Sequence, residues 1–258
     1  MNATPRKRFG QHFLHDRHVV ERIVEAIDPR AGDRIVEIGP GEGVLTVPLL
    51  EIIDHLDVVE IDRDLARALR ERDDWTGRVT VHETDALRFD FAGLAAGSPL
   101  RVVGNLPYNI STPLLFHLLD QRACIHDMHF MLQREVVDRI VARPGSGTYG
   151  RLSVMIQAHC EAGSLFRVAP GAFRPPPRVE SALVRLRPRP TSLVPAEHEQ
   201  AFAAIVHDAF TARRKTLRNA LRRLLSAGQI EAAGIDPAVR AETLPVEAFV
   251  SLASQRGH

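Results

Sequence analysis

Four short stretches carry residue types that can do chemistry together. The first is Asn105-Leu106-Pro107-Tyr108. An amide side chain offers one carbonyl acceptor and two N–H donors, and Tyr108 sets a flat ring three positions away. An acceptor beside a flat face can grip an amino-bearing base, and Pro107 fixes the turn between them. The second stretch is Gly39-Pro40-Gly41-Glu42-Gly43, where glycines allow backbone N–H groups close approach to a ligand. The third and fourth are single acids: Glu60, 21 residues after Gly39, and Asp85, 25 residues further on. Taken singly, each has a plain structural reading: a proline turn with a half-buried aromatic, a tight turn, two solvated acids.

The elements needed to bring these residues together are legible. Apolar, β-favouring runs cover residues 34–38, 56–61, 79–83, 100–106 and 127–133. Helical spacing covers residues 17–27, 44–50, 65–72, 112–119, 135–142 and 152–160. Two late strands, near 165–168 and 182–186, flank a loop over 173–179. The alternation predicts an α/β fold: a Rossmann-like, doubly wound, mostly parallel sheet with helices on both faces. Ligands of such sheets bind at the carboxyl ends of the strands, where all four stretches fall.

The chain is 258 residues long, 45% apolar and 25% charged, which suits a globular protein. No apolar run reaches the roughly 20 residues of a membrane helix, and the basic N-terminus lacks the apolar core of a secretory signal. Cys124 and Cys160 lack metal-site spacing, and the histidines show none either, so no metal and a reducing, cytoplasmic home are expected. Net charge is only +1, but cations gather at Arg6–Arg8 and again at Arg213, Arg214, Lys215, Arg218, Arg222 and Arg223. Three prolines in residues 187–195 mark a composition shift. The organisation predicted is a main domain over 1–187, a linker over 188–195 and a small helical domain over 196–258.

The loop spacing is G-x-G-x-G, not the G-x-G-x-x-G of dinucleotide folds, and Glu37 lies just before it. An acid there disfavours a pyrophosphate. Glu60, at a second strand end, can accept from ribose hydroxyls, and Asp85, at a third, from an adenine amino group. An adenosine carrier with positive rather than negative charge fits, and S-adenosylmethionine is the candidate cofactor. That makes the fold a class I methyltransferase sheet.

The motifs GQHFL (10–14), EIGPGEGVLT (37–46), VEID (59–62), TDAL (84–87), GNLPYNIST (104–112), QREVVDRI (133–140), YGRLSV (149–154), FRPPPRVES (173–181) and RRKTLRN (213–219) occur in order. Together they closely resemble the small-subunit (16S) rRNA adenine N6,N6-dimethyltransferases of the KsgA type, over nearly the whole chain. The resemblance implies that Gln11, His12 and Leu14 lie against the cofactor, with Gly39, Gly41, Glu60, Ile61, Asp85, Ala86 and Asn105 completing its shell. Position 12 is a departure, since relatives often carry asparagine there. The Asn105 side-chain oxygen and the Leu106 carbonyl are expected to take the two N6 hydrogens of a flipped adenine. Tyr108 is expected to stack on the base and Phe173 to cover its other face or the entry. Arg213, Arg214, Lys215 and Arg218 are expected along one helix face, docking RNA phosphates. The substrate implied is 16S rRNA within the assembling 30S subunit, and a monomer is expected.

Two other readings stay open on sequence. One is a 23S rRNA methyltransferase of the erythromycin-resistance type, which shares the pocket logic. The other is a non-catalytic ribosome-assembly factor that keeps the fold, although its glycine loop and Asn105–Tyr108 motif are intact.

Overall fold

The computed structural model describes residues 12–211 and 214–257. Gln11, Arg213 and the cluster Arg6–Arg8 therefore lie outside the described residues. The chain forms two compact units. One runs up to Val137 and takes in Gly163–Pro188, and the other combines Asp138–Ala162 with the chain from Arg189 onward.

The strands in chain order are β1 (Phe13–Leu14), β2 (Ile35–Ile38), β3 (Leu56–Glu60), β4 (Val79–Glu83), β5 (Leu100–Asn105), β6 (Ile125–Gln133), β7 (Cys160–Val168), β8 (Phe173–Arg174) and β9 (Ser181–Pro188). Seven of them form one sheet in the order β4-β3-β2-β5-β6-β9-β7. Neighbours from β4 through to β6 run parallel, and β9 pairs antiparallel with β6. The strand order reverses between β2 and β5, which makes that crevice the switch point. Central parallel strands are covered on both faces and so read as continuous apolar runs. Every residue of β2 is buried, as are Val102, Val103 and Gly104 of β5.

The helices of this unit are α1 (Arg17–Ile27), α2 (Thr46–Leu50), α3 (Arg63–Arg70), α4 (Phe91–Ala95) and α5 (Ser111–Asp120). α1 buries Val19, Val20, Ile23 and Ile27 on one stripe, and Asp16 caps it by accepting from the Val19 amide at 3.2 Å. α2 starts later than its apolar spacing suggests, because residues 41–45 complete the glycine turn. α4 has no clear sequence signature: five residues with a glycine inside, started by Asp90, whose side chain accepts from Gly93 N at 2.9 Å.

α6 (Arg134–Ile140) leads into the second unit, which holds α7 (Arg151–His159), α8 (Glu199–Thr211), α9 (Leu217–Leu221), α10 (Ala227–Ala232) and α11 (Val246–Ser254). Its core packs Tyr149 and Val154 against Phe202, Ile205, Leu217, Leu221 and Phe249. Three sequence expectations need correction here. A cut at residue 187 misses residues 138–162, which belong to this unit because Tyr149, Val154 and Ala158 supply part of its core. The segment 189–195 is not a free linker. Proline makes it extended rather than flexible, Arg189 N donates to His159 O at 2.8 Å, Leu193 N to Ala158 O at 3.2 Å, and Val194 is buried. Nor do the described tail cations Arg214, Lys215 and Arg218 share one helix face. Thr216 bridges Arg240 and takes the position just before α9, so Arg214 and Lys215 sit in the preceding turn and only Arg218 is helical. All three are exposed.

Candidate active site

A cavity of about 240 Å³ opens at the carboxyl ends of the strands beside the switch point. β2 contributes Ile38 and then Gly39 and Gly41, β3 contributes Val59, Glu60 and Ile61, and the turn after β4 contributes Thr84 to Leu87. The end of β5 contributes Asn105 through Ile110, and His12 and Phe13 complete the wall.

Two glycines make room for their neighbours here. A methyl group on Gly104 would collide with the Ile38 carbonyl oxygen of the adjacent strand, so β2 and β5 approach closely only with hydrogen at that position. Gly43 has φ +82°, and the Trp75 ring lies where its side chain would be. Gly39 N donates to Val59 O at 2.9 Å and Gly43 N to Pro40 O at 2.9 Å, which fixes the loop against β3.

Glu60 is buried, and its Oε1 accepts from Asp62 N at 2.8 Å. Burial raises its pKa above the usual carboxylate value, while backbone N–H groups of Asp62, Gly41 and Ile61 pull it the other way. The carboxylate thus ties the glycine loop to the end of β3. Glu37 is buried behind the wall, not in it. Its Oε2 accepts from Thr46 Oγ1 at 2.6 Å, and burial, reinforced by the charge of Glu60, raises its pKa to about 7 against the donor bond from Thr46. Asp85 opens the turn after β4: its Oδ1 accepts from Leu87 N at 2.9 Å, leaving the second oxygen for a ligand.

The Asn105 amide has a settled orientation. Its Nδ2 donates to the His12 carbonyl oxygen at 2.9 Å, and because that partner only accepts, Oδ1 is the amide atom left for a ligand. Leu106 N donates to Met131 O at 3.2 Å, and the Pro107 carbonyl accepts from Ser111 Oγ at 3.0 Å at the start of α5. Tyr108 shares a 2.7 Å hydroxyl hydrogen bond with Ser181 Oγ, and its ring centroid lies 5.5 Å from that of His12. Partial burial raises the Tyr108 pKa, with Ser181 opposing. His12 Nδ1 donates in turn to Pro175 O at 2.7 Å.

Of the residues singled out on sequence, His12, Gly39, Gly41, Glu60, Ile61, Asp85, Ala86, Asn105, Leu106, Pro107 and Tyr108 line this one cavity. Leu14 and Phe173 do not. They sit opposite each other in the two-stranded ribbon of β1 and β8, and both are buried in the hydrophobic core. Strand alternation explains it: Phe13 faces the cavity, so Leu14, one residue on, faces the core, and Phe173 follows its partner inward. Phe173 is therefore not a cover for the cavity in this structure. Sequence reasoning missed Phe13, Ile38, Val59, Thr84, Leu87, Asn109, Ile110 and the anchoring hydroxyl of Ser181. A two-residue strand such as β1 carries no readable period, but Ser181 does close the FRPPPRVES stretch.

Among the described residues, the wall contains two carboxylates, Glu60 and Asp85, and no lysine or arginine. A phosphate-bearing ligand would find no counter-charge there, whereas a nucleoside with a cationic group would. S-adenosylmethionine meets that description: Glu60 and Asp85 suit its hydroxyls and amino group, and the glycine loop allows close approach.

The ribosomal RNA adenine dimethylase family description matches residues 2–255. The chain is 56% identical over 250 residues to the Ribosomal RNA small subunit methyltransferase A of Alcanivorax borkumensis, covering 96% of this chain and 89% of that protein. It is 55% identical over 251 residues to the protein of the same name from Pseudomonas aeruginosa, covering 97% and 94%. Among solved structures, a dimethyladenosine transferase from Plasmodium falciparum superposes with a TM-score of 0.78 at 25% identity, covering 93% of this chain and 96% of that one. The 23S rRNA methyltransferase ErmE gives 0.72 at 27% identity, covering 95% and 100%. Matched from end to end by one family and by relatives above half identity, the chain belongs to the ribosomal RNA adenine dimethylases.

Proposed function

We propose that the chain dimethylates the N6 amines of two adjacent adenosines near the 3′ end of 16S rRNA, acting as a cytoplasmic monomer on the assembling 30S particle. It is an S-adenosylmethionine-dependent rRNA adenine-N6,N6-dimethyltransferase. The choice of small-subunit rRNA is supported by 56% identity to a small-subunit methyltransferase against 27% to the 23S enzyme.

The observation carrying the chemistry is the fixed amide of Asn105. An adenine N6 is a poor nucleophile because its lone pair is delocalised into the ring. With Nδ2 held by the His12 carbonyl, Oδ1 accepts one N6 hydrogen and the Leu106 carbonyl the other. Two acceptors draw the nitrogen towards a pyramidal geometry with its lone pair directed at the donor. S-adenosylmethionine, when bound, supplies a methyl group made electrophilic by its sulfonium. The protein's share is then positioning and electrostatics. The N6 proton leaves after the nitrogen has become cationic, so no strong base is needed. Tyr108, held by Ser181, offers the face on which the extruded base stacks, worth about 1–3 kcal/mol.

The test is to incubate the protein and labelled cofactor with 30S particles and, in parallel, with 50S particles from cells lacking the modification, and then to map the label. Label on adjacent adenosines near the 3′ end is expected. Label on large-subunit RNA instead would move the chain to the 23S reading. No label on any RNA, with cofactor still bound, would favour an assembly factor. A dimer in solution would overturn the monomer.

A further inference from the structure

The loop between β8 and β9 is pinned to the cavity at both ends. Pro175 O accepts from His12, and Ser181, the first residue of β9, bonds Tyr108; both partners line the cavity. A third tie comes just before β9, where Glu180 pairs with Arg134 Nη1 at 2.7 Å and its carbonyl accepts from Arg134 N at 2.9 Å. Pro177 is buried, so the loop is a fixed part of the rim. Two cations stand on that rim. Arg174 lies directly opposite the wall residue Phe13 in the β1–β8 ribbon, and Arg178 lies between the two pins. Both are exposed, and neither has an ionic or hydrogen-bonding partner among the described residues.

Among the described residues, the cavity wall holds acids and no lysine or arginine. A base can enter it, but the phosphates on either side of that base must stay at the mouth. Unpaired guanidiniums on a rigid rim are suited to them, since the planar fork binds phosphate oxygens two at a time. Val179, next to Arg178, is 46% exposed, an apolar surface suited to a sugar or neighbouring base rather than to a free phosphate ion. We propose that Arg174 and Arg178 form a phosphate clamp at the cavity mouth, holding the RNA backbone on either side of the extruded adenosine. The proposal rests on the RNA adenine reading above.

The test is binding of 30S particles lacking the modification, measured without cofactor across a salt series, for wild type, Arg174→Ala, Arg178→Ala and the double variant. Cofactor affinity serves as the folding control, and Arg→Gln replacements, which keep a polar stem, replace any alanine variant that fails it. Each substitution is expected to weaken binding roughly tenfold at low salt, with the effect in turnover falling on KM. The slope of log affinity against log salt should fall by about 0.7 for each lost single-strand phosphate contact. Unchanged affinity and slope in the double variant overturn the clamp, as does a loss confined to kcat. If wild type itself leaves the particle unmethylated, the substrate assignment has failed. If wild type methylates it and the double variant binds equally well, only the clamp has.

Discussion

The two ends of the strands in the central sheet put their polar residues to opposite use. At the amino ends, three arginines are tied down by the protein. Arg34 donates to the carbonyls of Leu94 and Ala95, and Arg78 to those of Leu50 and Ile53. Arg101 makes a two-point pair with Asp127 at 2.9 and 2.8 Å, a 2.7 Å bond to Asp33, and bonds to the carbonyls of Ile27 and Asp28 at the end of α1. At the carboxyl ends, Asp85 and Asn105 each have one side-chain atom committed and a second left over. The closed edge gives backbone carbonyls of the turns and helix ends a charged side-chain donor. The open edge keeps fixed acceptors in reserve, which is what a ligand site requires. Parallel strands make the division possible, because every strand starts at one edge and ends at the other.

The largest effect should come from the closed edge. Arg101→Ala strands Asp127, a buried carboxylate, without its cation. Removing one partner of a buried pair costs about 3–5 kcal/mol, read as a lower denaturant midpoint, while methyl transfer per folded molecule persists. A loss under about 1 kcal/mol would break the comparison by showing that the amino edge is not structural. Asn105→Ala should do the reverse, leaving stability nearly unchanged and lowering kcat by about 10²–10³-fold, the usual scale for losing one fixed polar group at a reacting centre. Asn105→Asp sharpens this, because it keeps the acceptor but cannot donate to the His12 carbonyl. Turnover close to wild type in either variant would remove the role given to the amide.

Glu37 tests the boundary between the two uses. Its pKa rises from 4.5 to about 7 on folding, because burial disfavours the charged form. The folded protein therefore binds a proton that the unfolded chain releases, and stability falls as pH rises from 4.5 to about 7, by on the order of 3 kcal/mol. His129, buried in β6, has the opposite sign: burial lowers its pKa to about 4, so stability is lost as pH falls from 6.5 to 4. The wild-type curve mixes both, whereas the difference between wild type and Glu37→Gln isolates the carboxyl. The amide oxygen of the replacement can still accept from Thr46. The variant should gain on wild type through pH 4.5–7 and hold a constant advantage above that. A difference that stays flat across the window would show that Glu37 is not buried as an acid.

Much of the open edge is legible because each of its residues follows a strand that announces itself. Ile35–Ile38, Leu56–Glu60, Val79–Glu83 and Leu100–Asn105 are apolar or β-branched runs, and their ends fix where Gly39, Glu60, Asp85 and Asn105 go. What stays hidden depends on contacts remote in sequence. Phe13 and Leu14 are separated by strand alternation in a ribbon whose partner lies some 160 residues on, so Leu14 reads as wall and Phe173 as a lid. The basic tail reads as one helix because nothing local reveals that Thr216 pairs with Arg240. The second unit's claim on residues 138–162 is likewise a matter of side-chain packing, with Tyr149 and Val154 buried far along the chain from Phe202 and Phe249.

The smallest predicted effect separates a residue that touches the base from one that positions it. Ser181→Ala and Tyr108→Phe remove the same 2.7 Å hydrogen bond from opposite ends while keeping the aromatic ring. Ser181 is buried and Tyr108 only partly so, so Ser181→Ala leaves a hydroxyl that water can still reach. Each change should cost about 1 kcal/mol, the net worth of one neutral hydrogen bond, seen as a roughly fivefold drop in kcat/KM for 30S particles. If Ser181 acts only through Tyr108, the double variant should be no worse than the poorer single one, because the bond can be lost only once. Additive losses would mean that Ser181 serves the site by another route. Tyr108→Ala, which removes the stacking face as well, should fall well below all three.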